Sequence, residues 1–451
     1  MILLTRFLTM RKKRINAPRM VVQSFAAVIL IGTLLLMCPF SSKDGQFTPF
    51  LSALFTATSA TCVTGLVVEE TGAYFSFAGQ LIIIILIQIG GLGFMTMLSI
   101  AVMQVRKKMN MRNRIILSQS LSLDSAADVR KVAGSLLKLV AVIEGIGALI
   151  LSMRFIPIYG LKGIWYGIFH SISAFCNAGF DTFGKGDSLV GFNNDPIVIL
   201  TASFLIISGG IGFLVFDDIK RKREFKRLSL YSKLVLIITA FLLVFGTILF
   251  FVLEGSNKET MADMPFWQQL MNSFFQAVTC RTAGFDSIGQ AAMTDESKFV
   301  SVILMMIGGA SGSTAGGLKV VTIGVIVLAV FTSLKSREKI VIWGRSISHS
   351  SVNNAMTLLA LWFILVMCAS VYVSFNTSAE LIDSLFEVAS AYGTAGLSVG
   401  VTAEASSVVR VLLIIYMFFG RVGVTTISLM FISRSYAKDK IQYPEGRVII
   451  G

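Results

Sequence analysis

The sequence predicts an all-α polytopic membrane protein, built as four parallel repeats (M1–pore helix–M2) around a pseudo-four-fold pore. Three observations predict it. The 451 residues are 55% hydrophobic and only 14% charged, with a mean hydropathy of +0.78, a composition suited to a chain that crosses a membrane many times. Apolar stretches long enough to span recur at 20–40, 78–103, 132–153, 196–219, 230–253, 298–333, 354–375 and 408–432, eight in all. Four times a phenylalanine is followed ten residues later by a glycine: Phe55 to Gly65, Phe169 to Gly179, Phe274 to Gly284 and Phe386 to Gly396. These glycines lie 114, 105 and 112 residues apart. The repeats are therefore placed at 1–115, 116–227, 228–345 and 346–451, the last with a tail.

The first span follows Arg11, Lys12, Lys13 and Arg14, as a signal peptide would. It is too long for an h-region and ends in Cys38-Pro39-Phe40 rather than a small-residue cleavage site, so it reads as an uncleaved anchor. The net charge of +14 is a matter of topology. The amino end, the segments after spans two, four and six, and the tail hold 28 of the 39 Lys and Arg. The alternate segments, 40–77, 154–197, 254–297 and 376–407, hold six. By the positive-inside rule both termini and the basic loops are cytoplasmic. That distribution accounts for the excess charge without nucleic acid as a partner. The outer segments carry 16 of the 25 acidic residues, which raises the cation concentration at an outer mouth. The five cysteines, Cys38, Cys62, Cys176, Cys280 and Cys368, lack ligand spacing, and three sit just before a repeat glycine as small packing residues.

Each outer segment holds about a dozen apolar residues before its glycine: Leu51–Thr61, Ile164–Phe175, Phe266–Thr279 and Leu381–Tyr392. Twelve helical residues reach roughly 18 Å, short of the ~30 Å hydrocarbon core, so these helices dip in and the chain climbs back out. Start signals are Thr48 with Pro49, Asp263 before Pro265, and Ser378 with Glu380. The return strand is non-helical backbone at membrane depth, tolerated only where it is buried in protein or lines water. A glycine there can take φ > 0 and turn consecutive carbonyls toward an axis. Four such strands make a ring of carbonyl oxygens that replaces a cation's hydration shell. The negative ends of four helix dipoles point at the same place.

The segments Thr61-Cys62-Val63-Thr64-Gly65-Leu66, Asn177-Ala178-Gly179-Phe180, Arg281-Thr282-Ala283-Gly284-Phe285 and Gly393-Thr394-Ala395-Gly396-Leu397 resemble the four filter segments of the Trk/Ktr/HKT superfamily of K⁺ transporters. The resemblance runs over essentially the whole chain. It implies a Ktr-type K⁺-translocating subunit of a bacterial cell membrane, with K⁺ held at the carbonyls of Thr64, Gly65, Ala178, Gly179, Ala283, Gly284, Ala395 and Gly396. It also implies a homodimer on a cytoplasmic ring of nucleotide-binding (RCK-type) regulatory subunits, contacted by the basic loops and by Tyr443-Pro444-Glu445-Gly446. No covalent cofactor is implied; K⁺ is the cargo and Na⁺ a candidate activator. Trk-type subunits carry a further amino-terminal helix pair, which favours the Ktr type.

The stretch 298–333 would be roughly 54 Å long as one helix. Its middle, Gly308-Gly309-Ala310-Ser311-Gly312-Ser313-Thr314-Ala315-Gly316-Gly317, has poor helix propensity and should unwind. It lacks the Gly-Lys-Ser/Thr of a phosphate loop, since Gly317 is followed by Leu318-Lys319. A polar, glycine-rich segment with Lys319 beside it reads as a plug below the filter, and the resemblance implies an intramembrane gate there. The other second spans carry Gly90-Gly91-Leu92-Gly93, Gly209-Gly210-Ile211-Gly212 and Gly420-Arg421-Val422-Gly423, read as close-packing glycines in continuous helices. Arg421 is a charge inside a span and so a functional candidate. It either faces the gate loop and the passing cation or ties helix ends together. Arg281 is expected to brace the filter carbonyls, with Glu387 and His170 as possible partners.

Two mechanisms fit a cation transporter: a channel-like pore, and a Na⁺- or H⁺-coupled symporter of carrier type. Carriers with midplane sites are commonly built from inverted repeats. Here all four repeats start on the cytoplasmic side, which favours the pore. With two histidines, no paired intramembrane carboxylates and no metal spacing, the sequence gives no ground for an enzyme.

Overall fold

A computed structural model describes residues 17–93, 129–184, 188–337 and 339–423. The expected span continuations at 94–103 and 424–432, most of the basic segment from Arg106 to Lys131, and the tail with Tyr443 to Gly446 lie outside these residues. Four long apolar helices each open one quarter of the chain: α1 (Ala17–Met37), α4 (Val129–Tyr159), α8 (Leu230–Glu254) and α12 (His349–Asn376). Each is followed by a short buried helix: α2 (Phe50–Cys62), α5 (Lys162–Cys176), α9 (Phe266–Thr279) and α13 (Leu381–Gly393). An extended stretch then leads to a second helix: α3 (Phe77–Leu92), α6 (Pro196–Ile211), α10 (Asp295–Met306) and α14 (Ser407–Val422).

The second helices have clear starts. Ser76, Asp195, Thr294 and Ser406 each accept a backbone N–H of the first turn on the side chain, satisfying donors that the helix itself leaves free. The short helices do not. They begin after Pro49, Leu161, Pro265 and Glu380, none with a side-chain cap. Thr48, Asp263 and Ser378 are therefore not the caps the sequence suggests. Burial against neighbouring helices holds these four in place instead.

The second spans expected at 196–219 and 298–333 are interrupted, and those expected at 78–103 and 408–432 run past the described residues. Among the described residues four helices are long and apolar enough to cross a membrane, five if a bent pair counts as one. The reason is a break at the same point of each second helix. α3, α6 and α14 end at Gly93, Gly212 and Gly423, with φ of 81°, 89° and 85°. A helix needs negative φ, and glycine takes the positive value without steric cost. After Gly212 the chain resumes as α7 (Phe213–Lys222), turned by 88°. In the third quarter the break runs from Ile307 to Lys319, before α11 (Val320–Leu334). The unwinding expected at 308–317 is present, whereas the continuous helices expected in the other quarters are not.

The quarters close on one another. α3 packs on both α2 and α5, α6 on α5 and α9, α10 on α13, and α14 on α13 and back on α2. Each second helix thus touches the short helix of the next quarter, and the last touches the first. The all-α expectation misses one element, a hairpin of β1 (Ile340–Ile342) and β2 (Arg345–Ile347) joined through Trp343-Gly344. It follows α11 and is too short to register as strand periodicity.

Candidate functional site

The carboxyl ends of the four short helices converge. Two residues before each motif glycine the backbone is left-handed: Val63 (φ 57°), Asn177 (59°), Thr282 (68°) and Thr394 (53°). The glycines follow with φ of 97° (Gly65), 70° (Gly179), 76° (Gly284) and 86° (Gly396). A β-branched residue such as Val63 or Thr394 enters this region only under constraint, at a cost of order 1–3 kcal/mol. In three quarters the constraint is a helix-end motif. The N–H groups of Thr64, Ala178 and Ala395 donate to Ser59, Ser173 and Ser390 carbonyls, each at 2.8 Å.

The glycines meet at one ring. A methyl group on Gly65 would lie 2.5 Å from the Ala178 carbonyl oxygen and 3.2 Å from the Cα atoms of Gly179 and Gly396. On Gly179 it would lie 2.7 Å from Gly284 Cα and 2.8 Å from the Ala283 oxygen, and on Gly284 2.7 Å from the Ala395 oxygen. On Gly396 it would strike the Thr64 oxygen and come to 3.0 Å from Gly65 Cα. The contacts run in chain order and close on themselves, so the carbonyls of Thr64, Ala178, Ala283 and Ala395 stand around a common centre. No other residue type fits four backbones at this spacing.

Hydroxyls from the last helical turns brace the strands. Gly65 N–H donates to Ser59 Oγ at 3.1 Å, and Ser173 Oγ donates to the Phe180 carbonyl at 2.9 Å. Thr279 Oγ1 donates to the Phe285 carbonyl at 2.7 Å and accepts from Phe285 N–H at 3.0 Å. In the third quarter the fully buried phenylalanine is Phe275, matching Phe55, Phe169 and Phe386, while Phe274 is only partly buried. The ten-residue spacing from Phe274 is thus a coincidence of two adjacent phenylalanines. The interval from buried phenylalanine to glycine is one residue shorter here, and the helix ends differently, with Ala283 N–H on the Thr279 carbonyl.

The loop 308–319 passes beneath the ring. Ala310 N–H donates to the Gly210 carbonyl at 2.9 Å, and Thr314 reaches the Gly209 carbonyl (3.3 Å) and, through Oγ1, the Phe175 carbonyl (3.1 Å). At its other end Gly316 lies against the Thr394 hydroxyl, and a methyl on Gly317 would be 3.2 Å from the Gly393 oxygen. The loop therefore touches the ends of α5 and α13, which stand opposite one another in the ring. It is pinned on itself by Gly308 N–H to the Leu318 carbonyl (2.8 Å) and Val320 N–H to the Gly309 carbonyl (3.1 Å). Tyr231 donates to the Ser311 carbonyl at 2.8 Å, and Phe213 N–H donates to that of Gly312 at 3.2 Å. Ser313 Oγ is buried with no hydrogen-bond partner in the protein. Lys319 folds back to donate to the Ala315 carbonyl at 2.9 Å.

Arg421 joins three elements. It donates to the Thr314 carbonyl in the loop and to the carbonyls of Gly90 (2.5 Å) and Gly91 (3.0 Å) at the end of α3. The guanidinium thus meets both the loop and a helix end. The glycines at 90, 209 and 420 are close-packed. A methyl on any of them would strike the carbonyl of Thr61, Phe175 or Tyr392, at the end of a short helix.

Arg281 does not reach the filter carbonyls. It donates to Thr239 Oγ1 on α8 at 3.3 Å. Glu387 instead accepts from Ser398 Oγ (2.8 Å), Val399 N–H (3.3 Å), Thr402 N–H (3.1 Å) and the Thr402 hydroxyl, bracing the fourth return strand. His170 bonds the Tyr166 carbonyl and stacks on Phe183. Sequence reasoning missed Glu144, which accepts both carboxylate bonds from Gln88 at 3.2 Å, one turn before the Arg421-bound end of α3. The signal was available, because a carboxylate inside a span is a functional candidate by default.

Four short buried helices around one ring of carbonyls, within a chain of long apolar helices, define a membrane transport protein rather than an enzyme. The chain belongs to the TrkH family of cation transport proteins, whose family model matches residues 8–439. It is 40% identical over 446 residues to the potassium/sodium uptake protein NtpJ of Enterococcus hirae, covering 98% of each chain. It is 38% identical to the Ktr system potassium uptake protein B of Bacillus subtilis, over 97% of each. Its fold is similar to the crystal structure of the potassium transporter TrkH from Vibrio parahaemolyticus, with a TM-score of 0.75 at 18% identity over 94% of this chain and 86% of that one.

Proposed function

We propose that this chain is the K⁺-translocating subunit of a Ktr-type uptake system, working as a channel-like pore with an intramembrane gate. The observation that carries this reading is the closed ring of Gly65, Gly179, Gly284 and Gly396 with its backbone carbonyls. A cation entering it exchanges water for fixed oxygens, and the negative ends of four helix dipoles favour its charge. The loop that reaches both α5 and α13 lies across the exit and is the gate, with Arg421 as its latch. The orientation, with both termini and the basic loops cytoplasmic, rests on the charge distribution, and the four-repeat division on the period of the glycines. A homodimer on a cytoplasmic ring of nucleotide-binding subunits completes the assembly that the resemblance of the filter segments implies; the relative's name, a Ktr system protein, supports only that the chain works within a system.

The test is K⁺ uptake by a transport-deficient bacterial strain carrying the gene, with and without external Na⁺. Growth at low K⁺ is expected. Uptake that needs Na⁺ but moves no Na⁺ makes Na⁺ an activator, whereas Na⁺ uptake in its own right makes it a second cargo, as the name of the potassium/sodium uptake relative suggests. Stoichiometric Na⁺ or H⁺ movement with each K⁺ replaces the pore with a carrier.

A further inference from the structure

The hairpin β1–β2 is built at a cost that burial does not offset. Its two-residue turn places Trp343 at φ 45° and Gly344 at φ 74°. That turn type suits Asn-Gly, and an aromatic residue there is strained. Yet Trp343 is 53% exposed rather than buried in return. Of the hairpin residues only Ile340 is buried, against the end of α11, while Val341 is exposed beside the tryptophan.

Two features locate this tip. Lys233, in the first turn of the spanning helix α8, holds its ammonium 5.5 Å from the centre of the Trp343 ring. The tip therefore sits at the depth where a span leaves the membrane on its basic face. The last turn of α11, which leads into the hairpin, exposes Phe331 and Leu334, continuing the exposed apolar stripe of Val327 and Val330 along that helix. Around it Lys335, Arg337, Lys339 and Arg345 are all exposed.

We propose that the hairpin is a lipid anchor: Trp343 inserts into the interfacial layer of the membrane, and Lys233, Lys335, Arg337, Lys339 and Arg345 engage anionic headgroups. Indole rings prefer that layer, and each basic side chain near an anionic surface adds to the attraction. The anchor acts on transport through α11, one rigid helix whose other end begins at Lys319, the last residue of the loop beneath the ring. Binding at the membrane surface thus fixes one of the two points from which the loop hangs. The inference is independent of which ion the ring passes.

The full chain, reconstituted in vesicles, tests it by tryptophan emission. The Trp343 contribution is the difference between the parent and Trp343→Ser, with Trp343→Phe as a second variant that keeps an aromatic ring at the tip. Brominated phosphatidylglycerol should quench this component, brominated phosphatidylcholine should quench it less, and high salt or the pair Lys335→Gln and Arg345→Gln should remove the preference. A component insensitive to both brominated lipids overturns the proposal. Equal quenching by the two lipids overturns the headgroup assignment. A component shielded from water only when a soluble regulatory protein is added makes the hairpin a protein-docking site instead.

Discussion

At the scale of single residues, the ring rests on backbone angles that side chains oppose. Gly65, Gly179, Gly284 and Gly396 combine positive φ with a neighbouring carbonyl or Cα where a Cβ would stand. Replacing any of them by serine is expected to weaken K⁺ affinity by about tenfold or more, which corresponds to ~1.4 kcal/mol, while the protein still inserts. Concentration-dependent uptake measures this, and parent-like affinity in all four variants removes the filter assignment. Arg421 makes a different kind of contribution. Its three bonds to carbonyls are charge-assisted and cost on the order of 1.5–3 kcal/mol each to lose. Arg421→Gln is expected to lower thermal stability in detergent and raise basal flux together, and Arg421→Lys to recover part of both. Lost stability with unchanged flux leaves Arg421 a tie between helix ends only.

At the scale of elements, the informative feature is that every second helix stops at the level of the loop beneath the ring. The glycine-rich loop of the third quarter was legible in the sequence because ten residues of low helix propensity interrupt an apolar run. The breaks at Gly93, Gly212 and Gly423 were not, since two or three glycines in an apolar run are also compatible with a close-packed helix. The close packing of Gly90, Gly209 and Gly420 was legible for that same reason. Gly90→Ala, Gly209→Ala and Gly420→Ala each press a methyl on a helix-end carbonyl, and overpacking of this kind costs about 1–3 kcal/mol. A lower unfolding temperature with the ring sequence intact is the expected result. Deleting several residues within 308–317 is expected to raise ion flux and make it less dependent on any regulatory subunit. Unchanged or abolished flux in a correctly inserted variant reduces the loop to a structural kink.

At the scale of the whole molecule, charge sets the orientation and packing sets the closure. Cysteines placed near Lys43, Glu259 and Glu404 are expected to react with impermeant reagents from outside, and those near Arg221 and Lys335 only from the cytoplasm. Labelling of the first group from the cytoplasm alone removes the parallel arrangement and revives an inverted-repeat carrier. The closure is visible in the way α14 of the last quarter returns to α2 of the first.

By itself the sequence determined what depends on local chemistry: apolar length, the side on which basic residues collect, and four glycines at a near-constant period, each after a helix too short to cross. The tertiary structure alone decided which atoms meet. Phe275 rather than Phe274 is the buried equivalent, because one residue fewer before Gly284 is absorbed in the helix end. Glu387 rather than Arg281 braces a return strand, because residues 398–402 fold back over its carboxylate. Arg421 reaches carbonyls more than 300 residues away in the chain. Periodicity reports how a segment is built, but the partners of a buried charge are set by the ring's closure, and no local pattern encodes that.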